Sequence, residues 1–440
     1  MLIQFSIRNF KTFKDEIKLT MFASNSDKST REAENVFEIP KFNLRLLKSA
    51  VIYGANASGK TKLIDAASVM RDFILKSSKE SQEGEPINTD PFRLNTAMEA
   101  QPTMFELVFI HKEDMFRYGF EVTKETVVSE WLYHRPNTKE IEIFYREGQN
   151  FNLHPTLFKK GNLLVKEKMV RPNALMLSVA AQFNDILAKR ILEWLRQFRQ
   201  LSGLSQEGYL GFSLHKASEK EGKVKILEWL KNADIGIDDI RVEPKNANDL
   251  PPDLPDEVRI KLLEKMKNKD TKFYSDLVTV HAKYDETNTQ VDVEEFMLLE
   301  EESSGTQKFF ALSGPIIQAL NKGEVLFVDE LDSKIHPNLV CKIVDIFNSK
   351  EANPKNAQLI FNTHDTNLLG SGLFRRDQIW FVEKDRYGAA ILYPLSSFKT
   401  NEGARKTDNF EENYIMGRYG GVPILSDFVN LLKDESHSEI

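Results

Sequence analysis

The sequence is poor in cysteine, in long apolar runs and in excess positive charge, and each shortage excludes a class of protein. Cys341 is the only cysteine among 440 residues, so no disulfide can form within the chain and a reducing compartment is expected. No apolar run reaches the roughly 20 residues that a transmembrane helix needs. The first residues also lack the basic and apolar regions of a signal peptide. We therefore expect a soluble, cytoplasmic protein.

The charge balance bears on the choice of partner. Lysine and arginine number 59 and aspartate and glutamate 66, which gives a net charge of -7. Proteins that bind nucleic acid over much of their surface are usually basic, so nucleic acid is not the default partner, although a local basic groove is compatible with this balance. With 41% hydrophobic residues the chain can build a sizeable core, and its length fits one or two domains.

Hydrophobic spacing divides the chain into three parts. Strand-like segments dominate up to about Leu153, and short apolar runs alternate with helical segments in the last third, which favours an α/β sheet with parallel strands. Apolar residues between these parts recur at helical spacing: Phe183, Leu187, Ile191, Leu195 and Phe198. We predict one head formed by residues 1–162 and 273–440, interrupted by a mostly helical insertion of residues 163–272.

The first motif that carries chemistry is a glycine-rich loop. Gly54-Ala-Asn-Ala-Ser-Gly-Lys-Thr fits the P-loop pattern, in which backbone N–H groups surround phosphate oxygens, the lysine reaches the β- and γ-phosphates and the threonine hydroxyl ligates Mg²⁺. A chance glycine-rich turn is the alternative, but an apolar strand precedes the loop and a helix follows it, as a P-loop requires. The candidate nucleotide-binding residues are Gly54, Asn56, Ser58, Gly59, Lys60 and Thr61.

The second motif is an apolar strand that ends in two acids. Val325-Leu-Phe-Val runs into Asp329 and Glu330, which places two carboxylates at the carboxyl edge of a parallel sheet, where ligands bind. Asp329 and Thr61 are the candidate Mg²⁺ ligands, and Glu330 can polarise the attacking water as a general base. Without the P-loop, a strand that simply ends in solvated acids would be the better interpretation.

The third motif opens a helix shortly before the acidic strand. In Glu302-Ser-Ser-Gly-Thr-Gln-Lys, a Ser-Gly pair at the helix N-terminus offers free N–H groups, a hydroxyl and the positive end of the helix dipole to a γ-phosphate. The candidate residues are Ser304, Gly305 and Gln307. An ordinary serine cap is the alternative, and the position of the segment favours the phosphate ligand.

The fourth motif is a histidine after the next apolar strand. His364, in Phe361-Asn-Thr-His-Asp, can hydrogen-bond a γ-phosphate or the water beside it. A lone histidine is usually structural. The order of the four motifs along the chain nevertheless favours a nucleotide site, in which His364 acts beside Glu330.

The ordered set resembles the SMC, RecF and OLD (overcoming-lysogenisation-defect) branch of ABC ATPases. Closer still, the chain is similar to the AAA family ATPases of bacterial phage-defence operons, which include the ATPase subunits of PARIS systems. The resemblance covers both ends of the chain and is thin over the predicted insertion. The segments that carry it are Ile7-Arg-Asn-Phe-Lys-Thr-Phe, Glu301-Glu-Ser-Ser-Gly-Thr-Gln, Leu331-Asp-Ser-Lys-Ile-His-Pro, Gln378-Ile-Trp-Phe-Val-Glu-Lys-Asp and Asn413-Tyr-Ile-Met-Gly-Arg-Tyr-Gly-Gly-Val-Pro.

This resemblance implies a P-loop NTPase fold with an ABC-type ATPase head, ATP and Mg²⁺ as cofactors, and ATP hydrolysis. It also implies self-association through an ATP sandwich, in which Ser304, Gly305 and Gln307 of one protomer contact nucleotide held by another, with Asp332 in the D-loop at that interface. Two departures stand out. No clear Q-loop glutamine follows the first helix, where Pro91-Phe-Arg-Leu-Asn is only a candidate, and there is no room after the last strands for a Toprim nuclease domain.

Several functions stay open on these grounds. The leading hypothesis is a sensor or switch of a bacterial antiviral defence system that controls a separate effector, expected to be a nuclease, in response to a phage-encoded trigger. The alternative is a DNA-repair or DNA-clamping ATPase like RecF and SMC proteins, which the acidic balance and the lack of long coiled coils disfavour. A transporter subunit is disfavoured by the missing Q-loop glutamine. A nuclease site at His281, His336 or His364 is disfavoured because no metal-ligand spacing accompanies them.

Overall fold

The computed structural model describes residues 1–79, 82–244, 274–398 and 408–423, so residues 245–272 of the predicted insertion lie outside the described residues. The strands, in chain order, are β1 (Leu2–Arg8), β2 (Ile17–Thr20), β3 (Val36–Ile39), β4 (Leu44–Leu47), β5 (Ser49–Gly54), β6 (Thr103–His111), β7 (Asp114–Val122), β8 (Val127–Arg135), β9 (Ile141–Glu147), β10 (Asn150–Leu153), β11 (Phe198–Ser202), β12 (Asp239–Pro244), β13 (Tyr274–Tyr284), β14 (Gln290–Met297), β15 (Val325–Asp329), β16 (Gln358–Asn362), β17 (Ile379–Lys384) and β18 (Ala390–Pro394). The helices, in chain order, are α1 (Glu32–Asn35), α2 (Lys60–Lys76), α3 (Thr96–Glu99), α4 (Lys159–Lys166), α5 (Met176–Gln182), α6 (Ile186–Arg196), α7 (Glu207–Ser218), α8 (Lys220–Lys231), α9 (Ser304–Lys322), α10 (Pro337–Asn348), α11 (Asn367–Gly370) and α12 (Phe410–Ile415). Among the described residues, no helix has both the length and the apolar character that crossing a membrane demands.

A six-stranded sheet at the centre of the molecule has the order β11-β15-β16-β5-β17-β18. Its first five strands are parallel, and β18 pairs antiparallel with β17 at one edge. Every residue of β5, β15 and β16 is buried, as expected of central strands that are covered on both faces. The carboxyl ends of these three neighbouring strands meet at one edge of the sheet, with the P-loop at the end of β5. This arrangement confirms the predicted α/β P-loop NTPase fold.

Alternate residues of β5 face two separate cores, because successive side chains of a strand point to opposite faces. Ala50 and Ile52 belong to the core that contains α2, α5, α6 and the seven-stranded sheet. Val51 and Tyr53 belong to the core on the other face, which contains α7 to α10. The central sheet is therefore sandwiched between two layers, and α2 lies directly behind the P-loop.

Three further sheets surround this centre, one larger and two smaller. The seven-stranded sheet is wholly antiparallel, with the order β10-β9-β8-β7-β6-β1-β2. A three-stranded antiparallel sheet, β12-β13-β14, leads into α9, and β3 and β4 form a two-stranded pair. The turn between β1 and β2 carries the opening Asn-Phe-Lys-Thr-Phe motif and lies beside the P-loop.

One part of the predicted insertion, residues 163–272, differs from the helical prediction. The described part is largely helical, but Phe198–Ser202 is not helical: it forms β11, which pairs in parallel with β15. The Phe198 ring packs 4.8 Å from the Phe327 ring between centroids, so the residue that continued the helical spacing is buried by a neighbouring strand instead. This segment therefore contributes an edge strand to the central sheet of the head.

Candidate nucleotide-binding site

The P-loop joins β5 to α2 in a tight turn that needs its glycine. Gly59 precedes the first helical residue with a φ of 120°, and Ala57 also has a positive φ, of 60°. A Cβ at Gly59 would lie 2.7 Å from the Thr12 hydroxyl of the β1–β2 turn, so only glycine fits there. Sequence reasoning missed Thr12, because its contact with the P-loop exists only after the two sheets pack together.

Lys60 opens α2 and is almost completely buried, with 6% of its surface exposed. Its Nζ donates to the backbone oxygens of Gly54, at 2.7 Å, and Ala55, at 3.1 Å. Burial lowers the pKa of Lys60 to about 8, while the carboxylates of Glu330, Asp329 and Asp332 oppose this shift. Within the part of the chain that the structure describes, carbonyl oxygens are the hydrogen-bond partners of this buried ammonium group, which is therefore well placed to bind an anion inside the loop.

The acidic pair lies at the end of β15, and β16 lies between this strand and β5, the strand that leads into the P-loop. Asp329 is the last residue of β15, and Glu330 follows it with a φ of 48°. The side chain of Asn362, the last residue of β16, joins the two: its amide nitrogen donates to Asp329 Oδ1 and its oxygen accepts the Glu330 backbone N–H, both at 2.5 Å. Asn362 was not predicted, since its role depends on the register between two strands.

The loop after β11 supports the same acids from the other side. The backbone N–H of Gly203 donates to the Asp329 carbonyl oxygen at 2.6 Å. A Cβ at Gly203 would lie 1.9 Å from the Glu330 carbonyl oxygen, so this position excludes any side chain. The segment that was predicted as an insertion thus contacts the candidate catalytic acids directly.

His364 and Asp332 meet at the same edge. The backbone N–H of His364 donates to Asp332 Oδ2 at 3.3 Å. Burial lowers the pKa of the His364 imidazole, and Lys60 adds to that effect, while Asp332 and the acidic pair oppose it. A neutral imidazole can both donate and accept a hydrogen bond, which suits a group beside a phosphate or a water.

The predicted signature segment begins α9, with one correction in detail. The helix cap is Ser303, whose side chain accepts the Thr306 N–H at 3.1 Å, and this leaves Ser304 exposed at the first helical position. A Cβ at Gly305 would lie 2.8 Å from the Lys334 carbonyl oxygen, so this end of α9 packs closely on the loop that follows Glu330.

Lys308, one turn further along α9, fixes the same loop. Its side chain has no exposed surface, and its Nζ donates to the backbone oxygens of Glu330 and Leu331, each at 3.2 Å, and of Ser333. Burial lowers the pKa of Lys308 to about 8. Sequence reasoning missed Lys308 because lysines are almost never fully buried.

The structure therefore brings together Lys60, Asp329, Glu330, Asp332 and His364 at one edge of the central sheet. Among the hydrogen bonds of the described residues, none joins Ser304 or Gln307 to the P-loop of the same chain. The Gln307 amide instead donates to the Glu302 carbonyl oxygen at 2.9 Å. The candidate Q-loop region is held by the opening motif, because the Phe92 N–H donates to Asn9 Oδ1 at 2.9 Å.

The donor atoms at this edge fit Mg²⁺ and a phosphate. Proteins usually hold Mg²⁺ with one or two side-chain oxygens while water and phosphates complete the shell. Asn362 occupies only one carboxylate oxygen of Asp329, and Thr61 supplies a hydroxyl in the first turn of α2. Ser58 Oγ and Asp332 Oδ1 are buried and have no hydrogen-bond partner within the described residues, so the loop retains polar atoms for a ligand.

Comparisons with known proteins place the chain in a family. Among solved structures it is similar to the SMC head domain from Thermotoga maritima, with 13% identity, a TM-score of 0.40 and 89% of this chain and 98% of that chain covered. It is also similar to a dimeric ATP-binding cassette in a post-hydrolysis state with ADP and Pi, with 12% identity, a TM-score of 0.28 and 90% and 100% covered. No curated protein matches the chain. A family model described as "AAA domain, putative AbiEii toxin, Type IV TA system" matches residues 49–370, which is well over half of the chain and contains all four motifs. The chain belongs to this family of AAA domains.

Proposed function

We propose that the protein binds ATP with Mg²⁺ at the P-loop and hydrolyses it to ADP and phosphate. The observation that carries this proposal is the meeting of a buried Lys60 with Asp329, Glu330 and His364 at the carboxyl edge of the central sheet. Lys60 binds the β- and γ-phosphates. Thr61 and Asp329 hold Mg²⁺, which neutralises phosphate charge when it is bound.

Glu330 acts as the general base in this proposal. Its backbone is fixed on three sides, by Asn362 at the N–H group and by Lys308 and the packing of Gly203 at the carbonyl oxygen. The left-handed φ of 48° is rare for a residue with a side chain, and such strain persists where surrounding contacts maintain it. His364 orients the water or the γ-phosphate, and Glu330 takes the proton of the attacking water.

ATP also joins two protomers in this proposal. The exposed Ser304 and the adjoining Gly305 present a helix N-terminus to nucleotide held by the P-loop of a second copy. Lys308 connects the same helix to the backbone of the acidic loop, so phosphate contacts made in trans act directly on Glu330 and on the D-loop that carries Asp332. Hydrolysis removes the γ-phosphate and with it the trans contact, which gives the protein two nucleotide-dependent states.

The biological role proposed here is that of a nucleotide-dependent switch in bacterial antiviral defence, acting on a separate effector, expected to be a nuclease, after a phage-encoded trigger. Two observations support it. The family description names a toxin of a toxin–antitoxin system, which is a two-component arrangement. The sequence also resembles the ATPases of phage-defence operons over both ends of the chain.

Affinity purification of Glu330→Gln protein from its native host, with ATP and Mg²⁺, tests this role. We expect one stoichiometric protein to co-purify, to be identified by mass spectrometry, and to be lost from the Lys60→Ala protein, which should not bind ATP. Recovery of the same protein with both variants would contradict control by nucleotide. Recovery of DNA alone would favour a second candidate function, DNA clamping.

The second candidate, DNA clamping, is favoured by one local feature. A cavity of about 550 Å³ between α2, α5 and α6 is lined by five cationic side chains and one carboxylate. These residues are Lys79, Lys112, Lys189, Arg190, Arg196 and Glu193. If this surface binds phosphate backbones, duplex DNA should bind with a steep salt dependence, and Lys189→Glu with Arg196→Glu should abolish binding. The exposed Lys28→Glu is the matched control.

A further inference from the structure

The closing segment of the described chain folds into a small element beside the P-loop. Residues 409–421, here called the C-terminal element, contain α12 and a glycine-rich turn with positive φ at Gly417, Gly420 and Gly421. Its two tyrosines, Tyr414 and Tyr419, are buried. The motifs that explain nucleotide binding do not use this element, although it carries one of the most distinctive sequence segments in the chain.

The element touches the first residue of the P-loop. The Tyr414 hydroxyl donates to the Gly421 carbonyl oxygen at 3.0 Å and is itself hydrogen-bonded by the backbone of Gly54. The Tyr414 ring lies 5.5 Å from the ring of Tyr53, the residue before Gly54. A Cβ at Gly421 would lie 3.6 Å from the Gly54 Cα, so the backbones of the two segments are in near contact.

The same element touches the loop that carries His364. The Thr366 hydroxyl donates to Glu411 Oε1, in the first turn of α12, at 2.9 Å. The strand before the P-loop touches the same loop, because the Tyr53 hydroxyl donates to the Asp365 carbonyl oxygen at 3.0 Å. The C-terminal element, the P-loop strand and the histidine loop therefore share one hydrogen-bonded contact region.

Tyr393 and Glu383 hold the glycine-rich turn from the far side. The Tyr393 hydroxyl lies 2.9 Å from the Tyr419 carbonyl oxygen and 2.8 Å from Glu383 Oε2, so its one proton can be donated to either acceptor. A Cβ at Gly420 would lie 2.4 Å from the same carboxylate oxygen, so the turn fits only with glycine. The element is thus fixed to β17 and β18 and can act as a rigid support.

We infer that the C-terminal element positions the two halves of the ATP site, with Tyr414 fixing the start of the P-loop and Glu411 fixing the loop of His364. This inference rests on the proposed ATPase function for its kinetic consequences but not for its structural ones. Tyr414 and Glu411 are positioning residues, since neither lies among the groups that contact phosphate. Because they act on different loops, their loss should affect different steps.

The kinetic test compares Tyr414→Phe with Glu411→Ala. Loss of the Tyr414 hydroxyl leaves two buried backbone groups without their partner and loosens the P-loop, so we expect ATP affinity to fall about threefold to tenfold with little change in kcat. Loss of the Glu411 carboxylate frees the His364 loop, so we expect kcat to fall about tenfold at unchanged affinity. Glu411→Gln retains an acceptor oxygen for Thr366 and should restore kcat.

Each test variant has a matched control. Tyr118→Phe removes a buried hydroxyl bonded to Glu130 in the seven-stranded sheet, and Glu412→Ala removes an exposed carboxylate from α12, the helix that carries Glu411.

Hydrogen exchange of the nucleotide-free protein tests the positioning without any ATP. We expect faster amide exchange in residues 50–60 of Tyr414→Phe and in residues 362–370 of Glu411→Ala, and exchange like the wild type in both controls. Exchange and kinetics that match the controls would overturn the inference while leaving the ATPase proposal intact. If the wild type binds no ATP, the ATPase proposal fails, and the exchange rates alone decide whether the element positions the two loops.

Discussion

Asn362 hydrogen-bonds the Asp329 carboxylate with its amide nitrogen at 2.5 Å, and its amide oxygen accepts the Glu330 N–H. One side chain on β16 therefore sets the direction of both acids at the end of β15. Asn362→Ala should leave Asp329 free to rotate and Glu330 unsupported. We expect kcat to fall about 10-fold to 100-fold, since hydrogen bonds to charged groups contribute about 1.5–3 kcal/mol, with a smaller effect on ATP affinity.

Asn353→Ala is the control for this variant. Asn353 is also a fully buried asparagine, and its amide donates to the backbone oxygens of Phe347 and Ala357 after α10. The control should lower the free energy of unfolding and leave kcat unchanged in steady-state assays. Equal losses of kcat in both variants would show that Asn362 acts through general stability.

Gly203 gives a second test of how the acids are supported. A methyl group at this position meets the Glu330 carbonyl oxygen, so Gly203→Ala should displace the backbone of β11 or of the acidic loop at a cost of about 1–3 kcal/mol. We expect a lower melting temperature and a clear loss of ATP turnover. Gly208→Ala is the matched control, because a Cβ there meets nothing within 4 Å in α7. Wild-type turnover in Gly203→Ala would contradict the proposed contact.

The pKa of Lys60 predicts a pH dependence of ATP binding. Burial lowers this pKa to about 8, and a bound phosphate, which interacts with the protonated amine, raises it. ATP affinity should therefore be highest below pH 8, where Lys60 is protonated, and should fall by up to about tenfold per pH unit above pH 8. Titration with a fluorescent ATP analogue from about pH 7 to about pH 9.5 measures this slope. Lys60→Arg keeps its charge over that range, so any binding that it retains should lose this pH dependence.

Much of the site was predictable because its motifs are continuous in sequence. The P-loop and the acidic strand end each combine a buried strand with the chemical groups at its end, and both were located from local patterns. Asn362, Lys308 and Gly203 were not, because their partners lie on other elements and only strand register brings them together. β11 was mistaken for helix since five residues carry little periodicity, and the parallel partner that determines its structure lies more than 100 residues further along the chain.

Ser304 tests the proposed ATP sandwich. Its side chain is exposed at the start of α9, so Ser304→Arg should fold normally but obstruct the approach of nucleotide from a second copy. In a Glu330→Gln background, light scattering with ATP and Mg²⁺ should show assembly that Ser304→Arg abolishes. Ser26→Arg, at another exposed serine, should assemble as the background does. If the Ser304→Arg protein still assembles, the start of α9 does not form part of the interface.

The most direct test of the central claim is steady-state ATP turnover by the wild type, Lys60→Ala and Glu330→Gln, with ATP binding measured on the same samples. The proposed site predicts that Lys60→Ala neither binds nor hydrolyses ATP, while Glu330→Gln binds ATP and hydrolyses it at least about 100-fold more slowly, as expected for loss of a general base. Turnover by Glu330→Gln close to that of the wild type would contradict the role of Glu330, and unchanged turnover by Lys60→Ala would contradict the site itself.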